Sequence, residues 1–235
     1  MTTAVQARVT VETIIGVAGQ ALIADRSGAL WWDEAQTLVV SDLHLEKGSS
    51  FAARGVLLPP YDTAATLAML DQALRRYRPR RVIALGDSFH DAGALGRIAE
   101  SDRVALIAMQ RGLSWIWIEG NHDEALSGIL PGEHAARIEE AGLTFIHEPG
   151  AKPAAGEIAG HFHPCAKVRG RGRGIRRRAF AGDGSRLVMP AFGAYTGGLN
   201  VRHAAIEALF PRGFSAFVLG DERIYTFPQA HCLPD

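Results

Sequence analysis

The sequence predicts a mixed α/β sandwich, in which two sheets pack together and helices lie outside them. Two observations support this fold class: strand-like and helix-like segments alternate in the middle of the chain, and both ends are rich in strand-like runs. Hydrophobic residues make up 47% of the 235 residues, which suffices for a sizeable core. We therefore expect residues 1–235 to form a single domain.

The N-terminal part of the chain is predicted to form strands. Short apolar or β-branched runs occupy residues 12–17, 20–25 and 29–32, and Arg26-Ser27-Gly28 is typical of a hairpin turn between the last two. A fourth run, at residues 37–41, leads directly into Asp42.

Strands and helices are then predicted to alternate. Residues 63–77 carry apolar side chains at helical spacing, and Pro79 ends that helix. The next strand ends at Gly86 and Asp87. Further helices are predicted at residues 95–110 and 134–141, and strands at 81–85, 114–118, 143–146, 158–159, near 187, at 214–219 and at 223–227.

The composition limits the classes of protein to which the chain can belong. Basic and acidic residues number 25 each, which excludes a uniformly basic nucleic-acid binder but not a local basic patch. No run approaches the roughly 20 apolar residues that cross a bilayer, and the first residues lack the features of a signal peptide. The two cysteines cannot form a disulfide framework, so we expect a cytoplasmic protein without a membrane partner.

Side chains typical of metal sites cluster where the predicted strands end. Asp42 and His44 are two residues apart, as are His161 and His163, and in extended backbone such pairs point to the same side. Ligands bind beyond the carboxyl ends of strands in open α/β sheets, so these clusters are expected to build one site. The candidate metal ligands are Asp42, His44, Asp87, Asn121, His147, His161 and His163.

This set of oxygen and nitrogen donors exceeds what one ion usually takes from distant strands. We therefore expect two divalent ions that share a carboxylate, with Asp87 as the bridge. Mixed imidazole and carboxylate ligands favour Mn²⁺, with Fe or Zn²⁺ as alternatives, over Ca²⁺ or Mg²⁺. Two-metal sites with ions about 3.5–4 Å apart occur in phosphatases, nucleases and aminopeptidases.

The order of the motifs carries more information than any one of them. Asp-x-His, Gly-Asp, Gly-Asn-His-Asp, a single His and Gly-His-x-His follow one another between residues 42 and 163. In this order they resemble the motifs of the calcineurin-like metallophosphoesterase superfamily. The resemblance implies a metallophosphoesterase-type β-sandwich with flanking helices, in α/β/β/α layers, and a hydrolase that acts on phosphoesters with two divalent ions.

Longer segments resemble a narrower group, the ligase-associated DNA damage response endonuclease family. These segments are SDLHLEKGSSF at residues 41–51, LLPPYDT at 57–63, GDSFHD at 86–91 and MPAFG at 189–193. Members of that family are bacterial metallophosphoesterases associated with a DNA ligase and a helicase-like protein. The resemblance implies an endonuclease or phosphodiesterase in DNA repair, with DNA as substrate and a ligase and a helicase as partners.

Carried over by matching motif, the superfamily resemblance also implies how the ligands divide. A first ion would be held by Asp42, His44, Asp87 and His163. A second ion would be held by Asp87, Asn121, His147 and His161.

The same resemblance makes His122 the catalytic candidate. It would contact the phosphate or protonate the leaving oxygen, and general acids of this kind contribute roughly 10²–10⁴-fold in rate. The superfamily often has an aspartate that orients this histidine, in the third position after the Gly-Asp aspartate. This chain has His90 there and Asp91 next, so both are candidates for that role.

Two groups of arginines have different interpretations. The group within residues 75–81 follows a predicted helix end, where cations complement the helix dipole, and is interpreted as a solvated or protein-contacting surface. The second group follows Gly-His-x-His directly and alternates with glycines, which predicts a mobile loop. We expect this loop to clamp the phosphates of nucleic acid, and a solvated loop is the alternative. The candidate contacts are Arg169, Arg171, Arg173, Arg176, Arg177 and Arg178.

The sequence therefore predicts a dinuclear-metal-dependent phosphoesterase that hydrolyses phosphodiester bonds, with DNA as the favoured substrate. One alternative is an enzyme that acts on a small cyclic nucleotide, a nucleotide pyrophosphate or a phosphomonoester. The other is a non-catalytic scaffold that keeps the fold and binds ligase or helicase partners.

Overall fold

The computed structural model describes residues 13–122, 130–152, 154–170 and 173–235, and Glu12 of the first predicted strand lies outside them. Within these ranges the first sheet has strands β1–β4, an antiparallel meander, followed by β4–β7 in parallel. These strands are β1 (Thr13–Val17), β2 (Gln20–Ala24), β3 (Leu30–Trp32), β4 (Thr37–Val40), β5 (Arg81–Leu85), β6 (Ser114–Ile118) and β7 (Glu133–Ala135).

The second sheet follows in the chain. Its strands are β8 (Arg137–Glu140), β9 (Leu143–Ile146), β10 (Glu157–Ala159), β11 (Cys165–Gly170), β12 (Arg173–Gly182), β13 (Arg186–Val188), β14 (Ser215–Leu219) and β15 (Ile224–Pro228). Across the sheet they lie in the order β15-β14-β12-β13-β10-β9-β8, and β11 pairs with β12 beside this path. The helices are α1 (Lys47–Ala53), α2 (Asp62–Tyr77), α3 (Glu100–Met109) and α4 (Ala204–Glu207), with single 3₁₀ turns at Ala94–Gly96 and Gln229–His231.

The layers are those of an α/β/β/α sandwich. Helices α2 and α3 cover the outer face of the first sheet, where Leu70 and Leu106 pack against Val82. The two inner faces meet in a second core that includes Trp32 and Phe145. The outer face of the second sheet is covered by α4 and neighbouring C-terminal segments. The predicted fold class is confirmed, although the fourth layer contains one short helix among the described residues.

Burial explains why the central strands carry near-continuous apolar runs. All of β4 and nearly all of β5 and β6 are buried. Parallel strands covered on both faces have this pattern because neither face meets water. The parallel register aligns Val40 with Ala84 and Leu85 with Ile118, so the carboxyl ends of these three strands meet at one edge.

The prediction of a helix at residues 134–141 is wrong. This segment supplies β7 and β8, which lie at edges of the first and second sheets. Ala141 and Gly142 have φ of 49° and 79°, as the central residues of a two-residue hairpin turn require. Ile138 packs against the core between the sheets. Strand pairing and this burial override the helix propensity of alanine and glutamate, because local propensity is a weaker determinant than tertiary context.

The prediction of a mobile loop after residue 166 is also wrong. Strands β11 and β12 form an antiparallel hairpin whose register runs from Cys165 opposite Arg178 to Gly170 opposite Arg173. Val168 is buried and lies opposite Ile175, so an apolar face anchors the hairpin. Arg171 lies outside the described residues.

The remaining differences concern helices. The helix expected at residues 95–110 is a 3₁₀ turn at Ala94–Gly96 followed by α3. Helices α1 and α4 were not predicted. The described ranges contain no helix that combines the length and the apolar character needed to cross a bilayer.

Candidate metal centre

Both sheets deliver polar side chains to the same edge of the sandwich. Asp42 follows β4, Asp87 follows β5 and Asn121 follows β6, and these strands are parallel neighbours. In the second sheet, His147 follows β9 and His161 follows β10, which are also parallel. Parallel pairing brings strand ends together within each sheet, and the packing of the sheets brings the two sets together.

The first group of donors consists of Asp42, His44 and His163. Their ligand atoms lie within 4.8 Å of one another. The Nε2 atoms of the two imidazoles are 3.2 Å apart, and His163 Nε2 is 3.2 Å from Asp42 Oδ1. The three donors converge on one point, as ligands of a single ion must.

The second group consists of Asp87, His147 and His161, again within 4.8 Å of one another. His147 Nδ1 lies 2.9 Å from the carbonyl oxygen of Leu85. A carbonyl can only accept, so Nδ1 carries the proton and Nε2 keeps its lone pair. That lone pair faces His161 Nδ1 at 3.2 Å and Asp87 Oδ1 at 3.5 Å. Hydrogen bonds of this kind fix the tautomer of metal-binding histidines.

Asp87 connects the two groups. Its Oδ1 faces His147, whereas its Oδ2 lies 3.9 Å from His44 Nε2 in the first group. Asn121 is exposed and follows Gly120, which packs so tightly on Asp87 that an added Cβ would lie 2.1 Å from the Asp87 nitrogen. The structure thus brings six predicted ligands into two groups and places the seventh beside the residue that joins them.

The backbone that presents these donors is not extended. Asp42, His44, Asp87, His161 and His163 all have positive φ, between 43° and 68°. The sequence argument that extended backbone turns residues i and i+2 to one side is therefore wrong, although the pairs do converge. Left-handed backbone costs a non-glycine residue about 1–3 kcal/mol, and such residues concentrate at functional sites.

Burial and charge at the centre fit a bound cation. Burial lowers the pKa of His44 to about 3, which leaves the neutral imidazole that a metal requires. Burial acts to raise the pKa of Asp42, but the hydrogen bond and charge of His163 outweigh it and lower that pKa. Asp42 is 0% exposed. A fully buried carboxylate beside imidazoles is the donor chemistry of a divalent transition-metal site.

His122 lies at the open side of the centre. Its side chain is 45% exposed, its Nε2 is 3.9 Å from Asp87 Oδ2, and its backbone N–H donates to Asp87 Oδ1 at 3.1 Å. The ring of His90 stacks on that of His122, with 6.0 Å between centroids and 28° between planes, and Phe51 also stacks on His90 at 5.9 Å. The three rings form a continuous stack.

The carboxylate of Asp91 is paired with Arg97. It accepts two hydrogen bonds of 2.7 Å from Arg97, and it also accepts the N–H of Gly93. The geometry therefore favours His90 over Asp91 as the residue that orients His122. Phe51 escaped sequence analysis because an isolated phenylalanine carries no signal of the ring against which it packs.

The arginines of the β11–β12 hairpin divide by position. Arg176, Arg177 and Arg178 line a cavity together with Cys165 and Gly197, near His163. Arg169 and Arg173 are exposed at the far end of the hairpin, and Arg173 is roughly 17 Å along the strand from Arg178. The base of the hairpin, rather than its tip, adjoins the metal centre.

A sequence model and one crystal structure agree with this geometry. A sequence model described as calcineurin-like phosphoesterase matches residues 35–169, more than half of the chain. The crystal structure of the Pseudomonas putida nuclease MPE is similar, with a TM-score of 0.69 and 28% identity over 92% of this chain and 100% of that one. The E. coli phosphoesterase YfcE gives a TM-score of 0.39 and 15% identity over 81% and 97% of the two chains. A search of curated proteins finds no match.

The strand-end donors, the two ligand groups and the family match lead to one conclusion. The chain is a metal-dependent hydrolase that acts on phosphoester bonds, and it belongs to the calcineurin-like phosphoesterase family.

Proposed function

We propose that this protein, as a single domain, hydrolyses phosphodiester bonds in DNA with the help of two divalent ions, and that Mn²⁺ is the active metal. The observation that carries the proposal is the pair of Asp/His groups joined by Asp87. Two-metal centres are used for in-line displacement at phosphorus.

The donors divide between the ions as their positions suggest. Asp42, His44 and His163 would hold the first ion, and Asp87 would bridge it to the second. His147, His161 and Asn121 would complete the second. When bound, the ions would supply an activated water and draw charge from the phosphoryl oxygens. The backbone N–H of His161 donates to both carboxylate oxygens of Asp42, at 3.2 and 3.1 Å, and so holds that carboxylate in place.

His122 would act on the leaving group. Its exposed ring can reach a substrate, and its backbone is tied to Asp87 Oδ1 at 3.1 Å. Nε2 would give a proton to the departing alkoxide or hold it by a hydrogen bond. The stack with His90 and Phe51 would keep the ring in the required orientation. No covalent enzyme intermediate is expected, because no nucleophilic side chain is needed for in-line attack.

Three observations support DNA as the substrate. A protein with 28% identity and the same fold is described as a nuclease. The segments at residues 41–51, 57–63, 86–91 and 189–193 resemble ligase-associated DNA damage response endonucleases, which supports a role in repair beside a ligase and a helicase. Arginines 176–178, at the base of the hairpin, adjoin the metal centre.

The test is cleavage of defined single-stranded and duplex oligonucleotides by metal-stripped protein after addition of single metals, with the product ends mapped. Activity is expected when Mn²⁺ is added. No activity is expected in EDTA or in the Asp87→Asn variant. A chromogenic phosphodiester and monoester assayed in parallel separate the alternatives. Turnover of the monoester alone would contradict the proposal and would identify the protein as a phosphatase. Absence of any metal-dependent turnover would favour the scaffold.

A further inference from the structure

A cleft rich in arginine lies beside the metal centre. Two cavities, of about 400 and 360 Å³, share Arg26, Arg178, Gly220 and Asp221 in their walls and are therefore adjacent. We call this feature the arginine cleft and define it by its cations, which are Arg26, Arg76, Arg176, Arg177 and Arg178.

Two wall residues of the cleft adjoin His163, a member of the first group of metal donors. Cys165 follows His163 by two residues, and the backbone of Gly197 hydrogen-bonds to His163. The cleft then runs past the turn that contains Arg26 to the face of α2 that carries Gln72 and Arg76. A chain with one phosphate at the metal centre would thus have its neighbouring phosphates in this cleft.

The topology brings Arg26 to this place. Strand β3 is antiparallel to β4, and Leu30 at the start of β3 pairs with Val39 near the end of β4. The turn between β2 and β3 therefore lies at the same edge of the sheet as Asp42. The hairpin of the second sheet supplies Arg177 and Arg178 from the opposite side. Arg26 and Arg177 thus meet from the two sheets, although 151 positions separate them in the chain.

The positive charge of the cleft is only partly neutralised. Arg76 pairs with Asp25 at 2.8 Å, and Arg177 lies 3.7 Å from Asp221, whose side chain is 90% exposed. Arg176 also lies 3.5 Å from Asp235 Oδ1, so five arginines against three carboxylates leave a net charge of +2. Arg178 donates to the carbonyl oxygens of Ala191 and Phe192, and Arg26 to that of Asp221. Neither guanidinium is paired with a carboxylate among the described residues.

We propose that the arginine cleft binds the backbone phosphates that flank the scissile phosphate of a nucleic-acid strand. This inference rests on the proposed function and extends it to a substrate longer than a dinucleotide. Guanidinium groups suit phosphates because they donate paired, charge-assisted hydrogen bonds. No aromatic side chain lines either cavity within the described ranges, so the cleft offers charge rather than base stacking. Binding is therefore independent of sequence.

The test compares Arg26→Ala/Arg177→Ala with Arg75→Ala/Arg137→Ala. All four arginines are exposed, and Arg75 and Arg137 pair with Asp71 and Glu139 outside the cleft. Two labelled phosphorothioate ligands are used, a dinucleotide and a long single-stranded oligonucleotide, because phosphorothioates keep their charge and resist hydrolysis. Their binding to Mn²⁺-loaded protein is measured at several salt concentrations. Cleavage of the unmodified oligonucleotides is measured on the same preparations.

For the cleft variant, Arg26→Ala/Arg177→Ala, we expect the Kd of the long oligonucleotide to rise about tenfold. The slope of log K against log salt should shrink by about 1.4, which is the value for two lost phosphate contacts in a single strand. The control variant should bind both ligands as the wild type does. The cleft variant should lose less affinity for the dinucleotide than for the long oligonucleotide. Equal affinity and slope in the two double variants would overturn the cleft proposal, as would wild-type affinity that does not increase with length.

Failure of the proposed function would look different. Tight binding that depends on Arg26 and Arg177, without cleavage of any oligonucleotide, would leave the cleft standing and remove the nuclease. Cleavage that is equally fast in the cleft variant and the control would keep the nuclease and remove the role of the cleft.

Discussion

The carboxylate of Asp87 lies between two sets of imidazoles. One oxygen faces His147 at 3.5 Å, and the other lies 3.9 Å from His44 and equally far from His122. The same carboxylate accepts the backbone N–H of His122. A single residue therefore joins both groups of donors to the candidate general acid.

We expect Asp87→Asn to lower the metal content from about two ions per chain to about one or fewer, and to remove turnover with it, because an amide cannot bridge two cations as a carboxylate does. Metal analysis of the purified protein measures this. Asp71→Asn is the matched control, since Asp71 pairs with Arg75 on the exposed face of α2. Retention of two ions in Asp87→Asn would rule out the bridge.

The ring of His90 gives a second prediction. His90→Ala leaves His122 without its stacking neighbour and should lower kcat about 10–100-fold on a nucleotide ester, because small misplacements of a reacting group are costly. A p-nitrophenyl ester, whose leaving group needs no proton, should be affected much less. His90→Phe keeps an aromatic ring in the stack and should restore most of the rate. An equal loss with both leaving groups would show that His90 acts elsewhere.

At this scale the sequence indicates chemistry better than geometry. The residue types and their order identified Asp42, Asp87 and the histidines. They did not reveal the left-handed backbone at Asp42 and His44, or the position of Phe51 against His90. Backbone dihedrals and ring contacts depend on neighbours that are distant in the chain.

Glycines at strand ends decide how closely the ligand-bearing segments approach. An added Cβ at Gly86 would lie 2.5 Å from the ring of His147, and one at Gly160 would lie 1.9 Å from Ser41 Oγ. Gly86 also has a φ of 69°, a backbone angle that residues with a side chain rarely adopt. The close packing of β5 and β10 on the opposite ligands therefore requires residues without a side chain.

Gly86→Ala should lower the free energy of unfolding by about 1–3 kcal/mol, from backbone strain and from displacement of His147. Urea denaturation of the metal-free protein measures this without any contribution from bound ions. At Gly96 nothing lies within 4 Å of an added Cβ and φ is not positive, so Gly96→Ala should change stability by less than about 0.5 kcal/mol. Similar values for the two variants would contradict this account.

The two wrongly predicted elements have one cause. Residues 134–141 are rich in alanine and glutamate, and the hairpin near Arg176 is rich in glycine and arginine. Local composition favours a helix in the first case and a loop in the second. Both segments instead become strands because an existing sheet offers hydrogen-bond partners and an apolar surface to Ile138 and Val168.

The metal centre as a whole depends on how the two sheets pack. Phe145 is fully buried between them, with its ring 6.0 Å from that of Trp32, and lies two residues before His147. The face-to-face core therefore fixes the distance between the strand ends of the first sheet and those of the second.

Phe145→Ala should lower the free energy of unfolding by about 3–5 kcal/mol, as large cavities in cores do. It should also weaken metal binding, because His147 moves relative to Asp87. Ile14→Ala serves as control, since that side chain is 63% exposed and its loss should cost less than about 0.5 kcal/mol. Calorimetry and metal titration check both effects. Unchanged metal affinity in a clearly destabilised Phe145→Ala would show that the sheets do not set the site.

The sequence by itself determined the fold class, the family motifs and the donor chemistry, because hydrophobic periodicity and ligand residues are local properties. The tertiary structure decided which donors form each group, that His90 rather than Asp91 faces His122, and that Arg26 joins Arg177 in one cleft. These relations join segments from different strands and different sheets. They are fixed by strand register and by the packing of the two sheets, which no local pattern encodes.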